Sequence, residues 1–115
     1  MKKIAVIGSR NFNDYKFAEA ELSRLRQGQR VIIVSGGARG ADRIGKLYAE
    51  NCNLDYLEFL PDWEVHGKGA GFLRNTDIVN ACDEVVAFWD GESNGTRDSI
   101  RKAQKMRKHT HIYYV

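Results

Sequence analysis

The sequence predicts an α/β fold: a single domain built on a five-stranded parallel sheet with helices on both faces. Three observations predict it. Five short strand-like segments alternate with four amphipathic helical segments along the chain. The inner strands read as near-continuous apolar runs, the pattern of strands covered on both sides, rather than as the alternation of a half-exposed sheet. The 115 residues leave room for one core and no second one.

Lys3–Gly8 is the first strand, carried by Ile4, Ala5, Val6 and Ile7 and stopped by Gly8. Asn11, Asn13 and Asp14 supply turn and N-cap chemistry. Tyr15, Ala18, Leu22 and Leu25 then recur at helical spacing, and Gly28 fits the helix stop. Val31–Ser35 is the second strand, ended by Gly36 and Gly37, and Ala41, Ile44 and Tyr48 mark one face of the helix that follows. Leu54–Phe59 is a third strand of mixed pattern, expected near an edge, and Pro61–Gly69 reads as a long polar-aromatic loop. A third helix starts near Ala70 and carries Ile78, Val79 and Cys82. Glu84–Trp89 is the fourth strand and Gly91–Gly95 a turn. Ile100, Ala103 and Met106 mark the fourth helix, and His111–Val115 is the fifth strand. A helix between every pair of strands implies right-handed crossovers and hence a Rossmann-like sheet. The pattern by itself allows the strand orders 3-2-1-4-5 and 2-1-3-4-5.

Composition narrows the function classes. Lys and Arg number 18 against 15 Asp and Glu, a net charge of +3, which suits an anionic ligand without the dense basic surface of a dedicated nucleic-acid protein. No apolar run approaches the ~18 residues of a transmembrane helix, and Ile4–Ile7 is too short for a signal-peptide core. Two Cys are no disulfide scaffold and point to the cytoplasm. Cys52 and Cys82 lie far apart and His109 and His111 only two apart, so no zinc-ligand spacing is read and no metal or other cofactor is expected. Both Cys read as buried helix-end residues.

The glycines carry the functional reading. Gly8, Gly36 with Gly37, and Gly91 with Gly95 each follow a strand and precede a helix. In a parallel sheet all such junctions share one edge, outside the carboxyl ends of the strands, where open α/β sheets bind ligands. Glycine lets backbone N–H groups approach a ligand, and the helix N-terminus that follows favours negative charge. Cations stand at the same junctions: Arg10, Arg39, Arg43 and Arg97, with Lys68 and Arg74 bracketing the third helix's start. Arg10, Arg39 and Arg74 are expected to line one shared anion-binding cleft. No turn completes a Walker A loop or a dinucleotide Gly-x-Gly-x-x-Gly, which sets aside ATP hydrolysis and ordinary NAD chemistry.

At these residues the chain resembles the SLOG superfamily, named for the SMF/DprA and LOG proteins, and within it the small YspA-type branch. The resemblance rests on Gly8-Ser9-Arg10, on Ser35-Gly36-Gly37-Ala38-Arg39-Gly40-Ala41-Asp42, on Asp62-Trp63, on Gly67-Lys68-Gly69-Ala70-Gly71 with Leu73-Arg74-Asn75, and on Asn94-Gly95-Thr96. It implies the strand order 3-2-1-4-5 and a nucleotide or nucleotide-derived ligand or, as in DprA, single-stranded DNA. It also suggests a homo-oligomer and a phage or mobile-element setting. LOG proteins cleave the N-glycosidic bond of cytokinin nucleotides with a carboxylate in Gly-Gly-x-Gly-Thr-x-x-Glu. Here Ser99 stands where that Glu should be, so LOG-type turnover lacks its acid.

The predicted ligand-binding residues are therefore Gly8, Ser9, Arg10, Gly36, Gly37, Arg39, Gly40, Asp42, Lys68, Arg74, Asn75, Asn94, Gly95 and Thr96. Asp42 and Asp90 are the spare carboxylates for any catalysis; Asp42 also suits a helix cap or a favourable first-turn charge. The Ser9 hydroxyl is read as a phosphate contact, since no His suggests a triad. Arg74 and Asn75 are placed at a helix start, and Thr96 as the N-cap of the fourth helix. Trp63 is a candidate base-stacking aromatic, Trp89 a weaker one. The basic last helix, with Arg97, Arg101, Lys102, Lys105, Arg107 and Lys108, reads as a solvated face. The expected function is nucleotide sensing or sequestering, with a LOG-type N-glycosidase and DprA-type single-strand binding as alternatives; no membrane is expected to be a partner.

Overall fold

The computed structural model describes residues 1–115. The elements are β1 (Lys3–Gly8), α1 (Tyr15–Arg26), β2 (Ile32–Ser35), α2 (Ala41–Asn51), β3 (Asp55–Glu58), α3 (Trp63–His66), α4 (Ala70–Ala81), β4 (Glu84–Trp89), α5 (Asn94–Lys105) and β5 (His109–Tyr114). All neighbouring strands pair in parallel, in the order β3-β2-β1-β4-β5. Strand order therefore reverses between β1 and β4, where crossovers leave toward opposite sides of the sheet.

The two faces follow from the period-two alternation of a strand. Ile4 and Val6 of β1, Ile33 of β2, and Val86 and Phe88 of β4 point to the face covered by α1 and α2, against Ala18, Leu22, Ile44, Tyr48 and Ala49. Ala5, Ile7, Val34, Val85 and Ala87 point the other way, against Ile78, Val79 and Cys82 of the α4 end and Ile100 and Ala103 of α5. The first face is the more aromatic: Phe88 stacks on Phe12 at 4.8 Å and on Tyr113 at 5.4 Å between centroids. No helix is long and apolar enough to cross a membrane.

Local chemistry sets the element ends. Asp14 caps α1 by accepting from the Phe17 N–H at 3.1 Å. Three expectations need correction. The segment 61–69 is not a plain loop: Asp62 accepts from the Val65 N–H at 3.1 Å and starts the short α3, which a 3₁₀ turn over Gly67–Gly69 links to α4. Four residues show no periodicity, and two glycines mask what little there is. Second, α5 begins at Asn94 with Ser93 as N-cap, so Thr96 lies inside its first turn and is buried, not capping. Third, Arg74 and Asn75 lie a full turn inside α4 rather than at its start.

Candidate functional site

One cleft of about 390 Å³ opens at the carboxyl edge of the sheet, beside the switch point between β1 and β4. That is within the range of about 300–1,000 Å³ for small-molecule sites. The floor is Ile7 at the end of β1 and Ile78 of α4. The walls are Arg10 after β1, Ala38 and Asp42 before and within α2, Trp63 and Lys68 around α3, Phe72, Arg74 and Asn75 of α4, and Gly95, Thr96 and Ser99 of α5.

Asp42 and Arg74 form the charged heart of the cleft. Asp42 is only 7% exposed. Its carboxylate accepts from the Ala38 N–H at 3.1 Å and so ties the glycine turn down onto the start of α2. Burial pushes its pKa up to about 6, against the lowering pull of the Ala38 and Gly36 N–H groups and the Arg74 guanidinium. Arg74 donates through Nη1 to the Gly36 C=O at 2.7 Å and through Nε to Asn75 Oδ1 at 3.1 Å. Those bonds fix the guanidinium and leave its remaining N–H groups for a ligand. Gly36 makes this meeting possible: a Cβ there would stand 2.6 Å from Arg74 Nη1 and 2.9 Å from Asp42 Oδ2.

The α5 N-terminus forms the facing wall. Arg97 N–H reaches back to the Ser93 C=O at 3.1 Å, so the Gly95 and Thr96 amides before it have no intrahelical acceptor and favour an anion. Asn75 braces this wall, its Nδ2 donating to the Gly95 C=O and to Asp98 Oδ2, each at 3.2 Å. Lys102 holds Asp98 at 2.8 Å from behind. Trp63, 56% exposed, and Phe72 give the mouth an apolar, aromatic rim.

The predicted residues sort into those the fold gathers and those it does not. Arg10, Asp42, Lys68, Arg74, Asn75, Gly95 and Thr96 line the cleft together. Arg39 does not join Arg10 and Arg74, contrary to the expected shared cleft. The loop turns over Asp42 through the Ala38 bond, and the next side chain falls outward into a separate depression of about 510 Å³. There Arg39, Arg43 and Lys46 are balanced by Glu50 and Glu58, and Glu58 also accepts from the Tyr56 hydroxyl at 2.7 Å. Gly37 lines that depression too. Ser9 and Asp90 also stand apart, beside Phe12 and Phe17. Ser9 Oγ accepts from the Asp90 N–H at 2.9 Å. Asp90 accepts from the Ser93 and Glu92 N–H groups, both at 2.8 Å, and these bonds hold its pKa below the usual carboxylate value. It is a turn-former, spent on the loop that launches α5. Asn94 accepts from Arg97 and faces the far side of α5.

Gly8 and Gly40 are required by packing. A Cβ on Gly8 would lie 2.1 Å from the Phe88 carbonyl oxygen, and one on Gly40 2.4 Å from that of Ser9. Gly40 also has φ +80, so two turns can close on each other only if it stays bare. The residues missed from sequence were Ile7, Ala38, Gly71, Phe72, Ile78 and Ser93. Phe72 had a readable signal, a large aromatic left exposed in the first turn of a helix beside Arg74.

Among solved structures, DNA processing protein A from Streptococcus pneumoniae superposes with a TM-score of 0.81 at 19% identity, covering 97% of this chain and 50% of its own. DNA processing protein A from Helicobacter pylori, described for its single-stranded DNA binding mode, gives 0.77 at 24% identity, covering 96% of this chain and 64% of its own. This chain thus spans half to just under two thirds of those proteins, and at such identities the likeness is one of fold. In sequence, the Gene 61 protein of Mycobacterium phage D29 is 39% identical over 91% of this chain and 90% of its own. The family model for the YspA, cpYpsA-related SLOG family matches residues 2–66, the stretch from β1 through the glycine turn and Asp42 to α3. The glycine turns, their shared sheet edge and these matches agree, and the chain belongs to the YspA, cpYpsA-related SLOG family.

Proposed function

We propose that the cleft binds a nucleotide or nucleotide-derived ligand, its phosphate between Arg74 and the α5 N-terminus and its base toward Trp63 and Phe72. The observation that carries this reading is the convergence of Arg74, Arg10 and Lys68 with the open Gly95 and Thr96 amides on one cleft at the switch point. The aromatic rim and apolar floor suit a base, and the cationic wall suits a phosphate. Sensing or sequestering such a ligand, in the cytoplasm and in a homo-oligomer, is the role this reading favours.

One observation favours a second reading, N-glycosidase turnover. Asp42 is a buried carboxyl in the cleft that holds its proton to about pH 6, as a general acid should. Ser99 lines the same cleft without an acidic group.

Calorimetry with nucleoside monophosphates tests the proposal. Arg74→Ala weakens binding by about 1.5–3 kcal/mol, the range for a hydrogen bond to a charged group. Arg39→Ala and Arg101→Ala, whose side chains lie outside the cleft, change it little. Unchanged binding in Arg74→Ala would sink the assignment. An oligonucleotide arm at two salt concentrations separates single-strand binding, whose affinity falls steeply with salt. Release of free base, abolished in Asp42→Asn, would establish the glycosidase.

A further inference from the structure

The opposite edge of the sheet carries a second cluster of functional side chains, at the N-terminal ends of β4 and β5. The register pairs Glu84 with His109 and Val86 with His111. Residues two apart on a strand share a face, so Glu84, His109 and His111 stand together on one side of the sheet. His109 Nδ1 lies 3.7 Å from Glu84 Oε1, and His111 Nε2 lies 3.8 Å from Glu84 Oε2. The two imidazole centroids are 4.3 Å apart, and one ligand atom from each residue falls within 4.8 Å of the others.

His111 Nε2 is buried and has no hydrogen-bond partner. An imidazole nitrogen taken out of water without a partner costs free energy, yet here it points at a carboxylate just beyond hydrogen-bonding reach. The Glu84 side chain is 13% exposed. Its Oε1 is held by Lys2 Nζ at 2.8 Å, which leaves Oε2 facing the orphaned nitrogen. Neutral imidazole is the form that ligates metals. The cluster thus offers two imidazole nitrogens and one carboxylate oxygen, a donor set that suits zinc and its neighbours rather than magnesium or calcium.

We propose that Glu84, His109 and His111 form a binding site for a divalent transition-metal ion of the zinc class, clamping edge strand β5 to β4. A tetrahedral ion with bonds of about 2.0–2.2 Å sets its ligand atoms about 3.3–3.5 Å apart. The 3.7 and 3.8 Å separations run to different oxygens of Glu84, and one ligand atom from each residue lies within 4.8 Å of the others, so the side chains close on an ion by turning inward on the order of 1 Å. The fourth position falls to water or an external ligand. Lys2, 43% exposed on a flexible stem, gives up Glu84 when the ion arrives. The site is remote from the nucleotide cleft and stands or falls independently of it.

The test is a zinc titration of the full chain by calorimetry, repeated with cobalt(II) followed by absorption. One-to-one saturable binding is expected, with a cobalt spectrum free of thiolate charge-transfer bands. Glu84→Gln, His109→Ala and His111→Ala each weaken it by about tenfold or more, since even outer-shell partners are worth that much. Lys2→Ala tightens binding by removing the competing ammonium. His109 is 68% exposed, so its substitution keeps the fold and decides the matter even if His111→Ala does not fold. Absence of saturable uptake, unchanged affinity in His109→Ala, or a thiolate band from Cys52 would each overturn the proposal.

Discussion

Asp42 makes the stability of this protein depend on pH in an unusual direction. In the unfolded chain its carboxyl titrates near the ordinary 3.8, and in the fold near about 6. Between those values the native state binds the proton that the unfolded chain has released. Stability from this group is therefore fully present below about pH 4 and is lost as pH rises through about 6. The displacement corresponds to about 3 kcal/mol. Asp42→Asn removes the titration while leaving an oxygen to accept from the Ala38 N–H. The assay is urea unfolding of both proteins, followed by circular dichroism from pH 3.5 to 8. Other carboxylates titrate in the same window, so the informative quantity is the difference between the two proteins at each pH. That difference is expected to move by about 2–2.5 kcal/mol in favour of Asn between pH 4 and pH 7. A difference that stays constant with pH would refute the reasoning, because it would mean that burial does not penalise this charge.

The glycines give two opposite expectations. Gly40→Ala, with φ +80 and a Cβ 2.4 Å from a backbone oxygen, should destabilise by about 3 kcal/mol or more in chemical denaturation. Gly95→Ala meets open space inside α5 and should stabilise by about 0.5–1 kcal/mol. If Gly95 is bare for a ligand's sake, the same variant loses nucleotide affinity in calorimetry while its thermal midpoint rises.

Most of the fold was legible because the signals that set it are local and repeated. Apolar runs such as Ile4–Ile7 and Val85–Phe88 mark strands covered on both faces, and helical spacing between them forces parallel crossovers. The choice between strand orders was not local. Nothing in the residues of β1 says whether β2 or β4 lies beside a given edge, and it took the motif resemblance to choose. What was misread lay where structure is held by single hydrogen bonds. Asp62 starts α3 with one side-chain bond and Ser93 stands at the N-cap of α5 with none, and no periodicity announces them.

The candidate site shows the same division at finer scale. Sequence placed every glycine turn at one edge, and that edge is real, but it could not say which way a side chain leaves its turn. Arg39 and Asp42 are three residues apart, yet one faces the outer depression and the other the cleft, because the Ala38 N–H is bound to Asp42 and the chain reverses there. Glycine carries two meanings that sequence cannot separate: room for a ligand and room for the protein itself. At Gly8 and Gly40 the carbonyls of Phe88 and Ser9 fill the space. At Gly36 the space goes to Arg74 and Asp42, which then face the cleft. Only Gly95 borders the cleft with nothing of the protein where its Cβ would be. Its bareness is the one among these that protein packing does not explain, and it sits beside the open amides of α5, where a phosphate would need the approach.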